Sequence, residues 1–248
     1  MINKDKKKVI KKYIFISFLV FAIVISILLT IKYNVEGDKE MPYTLNKITI
    51  RSTLDATDNQ SENLWDKNLS QNNDIVIFIG KNDNVKSDAK IKSVKITNKF
   101  AEIGPKKGQI KMYLPTSNEV NKTYTNHSED CISVDVEYLG NVFNNYESRE
   151  IAEDGGLLAF RISNENIAHY VSNEDTEIAY NKSLLEKAGV SDEDIKFTLT
   201  FDLIIETTEN TKYKGTVKLE LPANTFENSG IEYKEITDLN KVIFKRIK

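Results

Sequence analysis

The fold class is set by residues 197–221, which read FTLTFDLIIETTENTKYKGTVKLEL. Apolar and polar residues alternate on both sides of a central TTENT segment, and a period of two is typical of half-buried β-strands. The TTENT segment, residues 207–211, has the composition of a turn. These residues therefore predict an antiparallel β-hairpin.

The apolar positions also predict the register of this hairpin. They are odd-numbered in both strands, so a three-residue loop at 208–210 places both apolar sets on one face. That loop puts Asn210 at the position that adopts a left-handed conformation, which asparagine tolerates. The expected cross-strand pairs are Leu199 with Leu219, Phe201 with Val217, Leu203 with Gly215, Ile205 with Tyr213, and Glu206 with Lys212.

Further segments between residues 43 and 248 carry a strand pattern, whereas helical signals are few. Ser183 and Ser191 each fit the start of a short capped helix, Gly189 fits the end of the first, and residues 61–66 around Trp65 suggest a third. We expect a mainly β domain, an antiparallel β-sandwich or barrel-like fold, with two smaller β-domains as the alternative. The other expected strands are 43–52, 73–79, 90–98, 109–114, 131–138, 156–163 and 241–247.

Residues 13–31 read YIFISFLVFAIVISILLTI and contain no charged residue. As a helix rising 1.5 Å per residue they span roughly 28 Å, close to the thickness of the hydrocarbon core of a bilayer. The few hydroxyl groups can bond to carbonyls of the helix itself. The stretch is longer than the apolar region of a cleaved signal peptide, no small-residue cleavage motif follows it, and a buried core helix need not be so uniformly apolar. We predict an uncleaved transmembrane helix, a single-pass signal-anchor.

The net charge of −3 is distributed unevenly along the chain. Residues 1–12 carry +5, and residues 32–248 carry −8. The positive-inside rule then predicts a cytoplasmic basic tail at 1–12, the transmembrane helix at 13–31, a linker at 32–42 and an extracytoplasmic β-rich domain at 43–248. An acidic outer domain gives no electrostatic support to nucleic-acid binding.

Three stretches carry a resemblance to known sequences: the lysine-rich start with its anchor, KYNVEG at residues 32–37, and IKFTLTFDLIIE at 195–206 running on to LELP at 219–222. In this order they resemble a group of uncharacterised single-pass membrane proteins of clostridia and related low-GC Gram-positive bacteria. The resemblance implies an anchor followed by a β domain in the cell envelope. It implies no activity and no site residue.

The only cysteine, Cys131, is the first candidate for catalysis, and His127 lies four residues before it. Sortases share the layout of an anchor followed by an outer β-barrel with a reactive cysteine, histidine and arginine. Their Thr-Leu-x-Thr-Cys strand is absent, because residues 126–131 read NHSEDC, and the next arginine is Arg149. We therefore interpret Cys131 as a small apolar residue at the start of a strand.

Other candidate residues have an ordinary structural explanation. The acidic segments 82–88, 174–177 and 192–194 are expected to be solvated loops and a helix cap, with calcium binding as the alternative. His169 is interpreted as a strand or loop histidine rather than a metal ligand, and Trp65 as a core residue rather than a surface platform for a ligand. We assign no catalytic, cofactor-binding or metal-ligating residue, and no cofactor.

The expected function is that of a non-enzymatic binding or scaffolding module of the cell envelope. The partners would be the lipid bilayer, through residues 13–31, and an envelope protein or wall polymer. Two alternatives stay open: a sortase-like or other cell-wall-acting thiol enzyme, and an accessory subunit of a membrane complex.

Overall fold

A computed structural model of the protein describes residues 4–59, 65–115, 128–142, 149–173 and 178–248. The chain forms two compact units, Met1–Lys39 and Glu40–Lys248. The first is helical, and the second contains all the described β-strands.

Helix α1 spans Lys4–Glu36, and all its side chains from residue 11 onward are exposed. Its stretch Lys11–Glu36 contains an 18-residue window with a mean hydropathy of 3.0 and is long and apolar enough to span a bilayer, a property it shares with signal sequences. Two helix hydroxyls bond back to the helix as expected: Ser26 Oγ donates to the carbonyl oxygen of Ala22 (2.9 Å), and Thr30 Oγ1 to that of Ser26 (2.8 Å). The helix extends to Glu36, so the first part of segment 32–42, expected to be an irregular linker, is helical.

The second unit is mainly β, as expected, and contains two short helices within its described ranges. Its elements are β1 (Tyr43–Asp58), β2 (Trp65–Lys81), β3 (Ile91–Ile103), β4 (Gln109–Tyr113), β5 (Val136–Asn141), β6 (Glu150–Ala152), β7 (Gly156–Ser172), α2 (Lys182–Lys187), α3 (Asp192–Ile195), β8 (Phe197–Thr207), β9 (Lys212–Leu221), β10 (Ile231–Ile236) and β11 (Lys245–Ile247).

These strands form two sheets that share a hydrophobic core. One sheet has five strands in the order β10-β1-β2-β7-β4, and the other has six in the order β11-β9-β8-β3-β5-β6. The rings of Phe160 on β7 and Phe201 on β8 meet edge to face in the shared core, with 5.7 Å between their centroids. Strands β5 and β6 pair in parallel, so the six-stranded sheet is mixed rather than wholly antiparallel as expected.

The hairpin of β8 and β9 has the predicted register. All five predicted pairs, from Leu199 with Leu219 to Glu206 with Lys212, are observed. Asn210 adopts the left-handed conformation, with a φ of 61°. The odd-numbered apolar side chains of both strands are buried in the core.

Strands β2 and β7 are much longer than segments 73–79 and 156–163, from which they were predicted. Strand β2 begins at Trp65, so the expected helix at 61–66 is wrong for its last two residues, and 60–64 lie outside the described part. The polar stretch before residue 75 is strand because its buried amides are hydrogen-bonded: Asn73 Nδ2 donates to the carbonyl oxygen of Ile162, and Asn73 Oδ1 accepts from Ser52 Oγ.

Other boundaries also differ from the prediction. Residues 131–135 form a turn, so strand β5 starts five residues later than expected, and Val134 is exposed. In segment 241–247 only Lys245–Ile247 is strand. Strands β6 and β10 were not predicted, because β6 is very short and most side chains of β10 are exposed at a sheet edge.

The two short helices are confirmed, with one change of cap. Asn181, not Ser183, is the N-cap of α2, since its Oδ1 accepts a hydrogen bond from the backbone N–H of Ser183 (3.0 Å). Ser191 is the N-cap of α3, as predicted, and forms a capping box with Asp194. Gly189 follows α2 with a positive φ of 68°, the conformation that glycine favours at a helix C-terminus.

Candidate ligand-binding face

The outer face of the five-stranded sheet carries a continuous row of polar side chains, which we call the arginine row. It consists of Tyr233 (β10), Arg51 (β1), Asp74 (β2), Arg161 (β7) and Tyr113 (β4), each paired with the next across neighbouring strands. Four of the five are adjacent in sequence to a core residue, and successive side chains of a strand point to opposite faces. The row therefore lies on the face away from the core.

Asp74 is the centre of the row and is held mainly by Arg161. Arg161 Nε donates to Asp74 Oδ1 (2.7 Å), and Arg161 Nη2 donates to Asp74 Oδ2 (3.1 Å). This is the two-point geometry in which a guanidinium and a carboxylate bind most strongly. Both side chains are largely buried, with exposed fractions of 11% for Arg161 and 14% for Asp74. The pair therefore holds the side chains of Arg161 and Asp74 in one position.

Arg51 lies on the other side of Asp74 and is held far more loosely. Its Nη1 is 3.6 Å from Asp74 Oδ2, beyond hydrogen-bond distance, and its Nε is buried without a hydrogen-bond partner. The side chain is 34% exposed. Two guanidinium groups thus share the carboxylate of Asp74, and the second carboxylate near them, Asp55, lies at the other end of the same face.

A cavity of about 610 Å³ opens beside the two arginines. Its floor is the outer face of β1 and β7, and its walls come from the segments before α2 and before β10. Eight of the twelve lining residues carry a hydroxyl, amide or charged group able to bond to a polar ligand, while apolar atoms supply the larger part of the lining surface. The eight polar residues include Thr53, Asp55, Tyr180, Asn181, Asn228 and Ser229.

A second cavity of about 340 Å³ lies further along the same face and shares Asp55 and Arg161 with the first. The Tyr113 hydroxyl beside it donates to Glu165 Oε1 (2.6 Å), and Lys111 Nζ is 2.8 Å from Glu165 Oε2. Burial, with the carboxylate of Glu165, raises the pKa of Tyr113 to about 12. Tyr113 therefore keeps its proton at neutral pH and acts as a hydrogen-bond donor.

Cys131, the sequence candidate for catalysis, lies apart from this face in the shared core. It is buried, and its Sγ lies 3.3 Å from the carbonyl oxygen of Met112. Burial raises the pKa of the thiol, which opposes formation of the nucleophilic thiolate. His127, the proposed base, lies outside the described residues.

The remaining sequence candidates are accounted for by local contacts. His169 Nε2 is 2.7 Å from Asp66 Oδ1 on the adjacent strand, and Trp65 packs against a second, smaller hydrophobic cluster. Asp194 Oδ2 accepts from the backbone of Ser191, and this bond lowers the pKa of Asp194. In the described ranges no three His, Cys, Asp or Glu residues are grouped to hold a metal ion; residues 174–177 lie outside those ranges.

None of the residues of the arginine row was predicted from the sequence. One signal was present, because the chain has 34 cationic residues and only four of them are arginines. Arg51 follows the alternating Ile48 and Ile50 of a predicted strand, which places it on the outer face, whereas Arg161 follows the continuous apolar run 157–160, which does not indicate a face. The planar guanidinium group of arginine can donate two parallel hydrogen bonds to one partner, which the ammonium group of lysine cannot do. The few arginines of a lysine-rich chain are therefore candidates for a specific role.

Comparisons of the chain with protein-family models, with curated proteins and with solved structures find no match. The functional argument therefore rests on the geometry of this face.

Proposed function

We propose that the protein is a membrane-anchored extracytoplasmic binding module of the bacterial cell envelope, without enzymatic activity. The support for the anchor is the exposed apolar surface of α1, since a surface of that size needs a covering and lipid supplies one. The lysines of residues 1–12 support a cytoplasmic N-terminus and an external β domain.

The arginine row with its cavity is the observation that carries the binding function. Polar groups that converge on a preformed cavity of 610 Å³ are typical of a ligand site. A polymer of the cell wall, or a fragment of one, is the expected ligand, because an anchored domain facing the wall meets it at high local concentration. The buried thiol of Cys131, with its raised pKa, favours binding over thiol catalysis.

A blocking substitution in the cavity wall tests this function. Ser229 lies in that wall and accepts a hydrogen bond from the N–H of Ile231, and Ser87 accepts one from Ala89 in the same local geometry elsewhere. The full chain in lipid nanodiscs is mixed with cell walls purified from a low-GC Gram-positive bacterium and sedimented. We expect the native chain and Ser87→Trp to sediment with the walls, and Ser229→Trp to lose at least nine-tenths of its binding.

Two outcomes would contradict the proposal. One is a native chain that stays in the supernatant at every wall concentration. The other is equal sedimentation of the two tryptophan variants, since binding would then not involve the cavity. Circular dichroism of both variants checks that the β domain has folded.

A further inference from the structure

Arg51 is held far less firmly than the other arginine of the row. Within the described part of the chain its side chain makes no hydrogen bond, and its one ion pair has an N–O distance of 3.6 Å. A buried donor of a charged group that lacks an acceptor is unfavourable. Arg161 donates to both oxygens of Asp74, whereas Arg51 lies beyond hydrogen-bond distance of them.

A ligand oxyanion would supply an acceptor for the terminal N–H donors of Arg51, which are the accessible part of its side chain, whereas Nε is enclosed. The guanidinium group is planar, stays charged at all relevant pH values, and presents a fork of N–H donors that matches a carboxylate or a phosphate. Arg51 lines the cavity and is partly exposed, so a ligand in the cavity reaches it. The fixed Arg161–Asp74 pair next to it holds the floor of the site in place.

The opposite charge at the other end of the cavity restricts the kind of anion. Asp55 is four residues further along β1 on the same face, roughly 13 Å away at the rise of a strand. Its Oδ2 accepts from Thr53 Oγ1 (3.2 Å) and from Asn72 Nδ2 (2.6 Å). A ligand with two negative charges would be repelled by the carboxylate of Asp55. A hydroxyl group of the ligand could instead donate a hydrogen bond to it.

The remaining walls suit a ligand rich in hydroxyl groups. Asn181 uses its Oδ1 for the helix cap and keeps its Nδ2 donors, and Asn228 and Ser229 add further amide and hydroxyl groups. The volume of about 610 Å³ lies within the usual range for small-molecule sites.

We propose that Arg51 binds the carboxylate of an acidic saccharide, whose hydroxyl groups lie towards Asp55, Asn181 and Asn228. This inference rests on the proposed binding function and names the chemistry of the ligand. Arg51 is its anion-binding residue, and Arg161 and Asp74 are positioning residues.

The test uses the full chain in nanodiscs and ligand-observed NMR. The probes are glucuronate and N-acetylmuramate as acidic saccharides, N-acetylglucosamine as a neutral one, glycerol 1-phosphate as a phosphate, and triglycine as a carboxylated peptide. We expect at least one acidic saccharide to bind at least tenfold more tightly than N-acetylglucosamine. Arg51→Gln should weaken that binding at least tenfold, Arg51→Lys less, and Arg246→Gln, on the other sheet, not at all.

The stability of Arg51→Gln separates a binding role from a structural one. Because the Arg51 side chain makes no hydrogen bond to the residues that the structure describes and its ion pair with Asp74 is long, its replacement should leave the urea midpoint of the β domain within the error of the native value. A clear drop in the midpoint with unchanged binding would overturn the inference. So would binding of acidic saccharides that is independent of Arg51, or stronger Arg51-dependent binding of glycerol 1-phosphate or triglycine.

The inference and the proposed function fail in different ways. Wall sedimentation that Ser229→Trp abolishes but Arg51→Gln leaves intact would overturn the role of Arg51 alone. A native chain that binds neither walls nor any probe would overturn both.

Discussion

At the scale of single residues, the buried carboxylates of the two sheets are each held by several donors. On the six-stranded sheet, Asp202 accepts hydrogen bonds from Asn98 Nδ2 (2.8 Å), Thr216 Oγ1 (2.7 Å) and Lys214 Nζ (3.3 Å). Burial by itself would raise the pKa of Asp202, but these donors outweigh it and hold the pKa below the usual value of 3.8. Asp202 therefore stabilises the folded state above pH 3.8, and the contribution is lost as the pH falls through the folded pKa.

Replacing Asp202 by asparagine should remove this acid dependence. At pH 7 we expect Asp202→Asn to lower the free energy of unfolding by about 1–3 kcal/mol, because charge-assisted hydrogen bonds are lost. The difference from the native chain should shrink as the pH falls below 3.8 and through the folded pKa, because the native carboxylate becomes protonated. Urea denaturation of the full chain in detergent, followed by circular dichroism across the pH range, measures both effects.

Asp83→Asn is the matched control for this substitution, since Asp83 is on an exposed turn. It should have almost no effect at any pH. A gap between native and Asp202→Asn chains that stays constant down to pH 2 would show that the carboxylate does not titrate as described.

At the scale of elements, local patterns predicted some strands fully and others only in part. The β8–β9 hairpin needs only the alternation of its own residues and one turn, so its register followed from the sequence. Residues 65–72 of β2 did not, because polar residues there bond to partners that only the assembled sheet provides: Asn72 Nδ2 donates to Asp55 Oδ2 on β1 (2.6 Å), and Asn72 Oδ1 accepts from Ser163 Oγ on β7 (2.6 Å). Polar residues in a strand give no signal until their partners are known.

The turn of the hairpin offers a direct test of its geometry. Asn210 has a φ of 61°, a conformation that a β-branched residue adopts only with strain. We expect Asn210→Val to lower the free energy of unfolding by about 1–2 kcal/mol, and Asn210→Gly to change it by less than about 0.5 kcal/mol. Urea denaturation of both variants checks this, and equal losses would refute a left-handed residue 210.

The arginine row shows why a site of this kind escapes sequence analysis. Its members come from five strands, and residues as distant as Arg51 and Tyr233 meet only because β10 returns to pair with β1. The alternation within a strand indicates which of its side chains face outward. It does not indicate which strands are neighbours in the sheet. The catalytic candidates His127 and Cys131, in contrast, are only four residues apart, so the sequence alone brings them together.

At the scale of the whole molecule, the uneven distribution of charge along the chain and the two compact units both separate the N-terminal segment from the β domain. The basic start and the apolar helix α1 lie in Met1–Lys39, and the acidic β domain begins at Glu40. The break between the two units falls within the segment expected to be a linker, 32–42, and the first residues of that segment continue the helix.

The role of the anchor is tested by exchanging it. If α1 serves only to hold the module at the membrane, replacing residues 13–31 by an unrelated transmembrane helix of equal length should leave wall binding within twofold of the native value. Sedimentation of both chains in nanodiscs measures this. A loss of tenfold or more would favour a specific helix partner, as in an accessory subunit of a membrane complex.

Labelling of single cysteines in living cells tests the central claim, an anchored module with its β domain outside. Cys131 is replaced by serine, and the reporters are Asn3→Cys in the basic tail and Asp83→Cys on the exposed turn of the β domain. A membrane-impermeant maleimide should label Asp83→Cys in intact cells, and Asn3→Cys only after permeabilisation. Labelling of Asn3→Cys in intact cells, protection of Asp83→Cys, or release of a shortened chain into the medium would contradict the account.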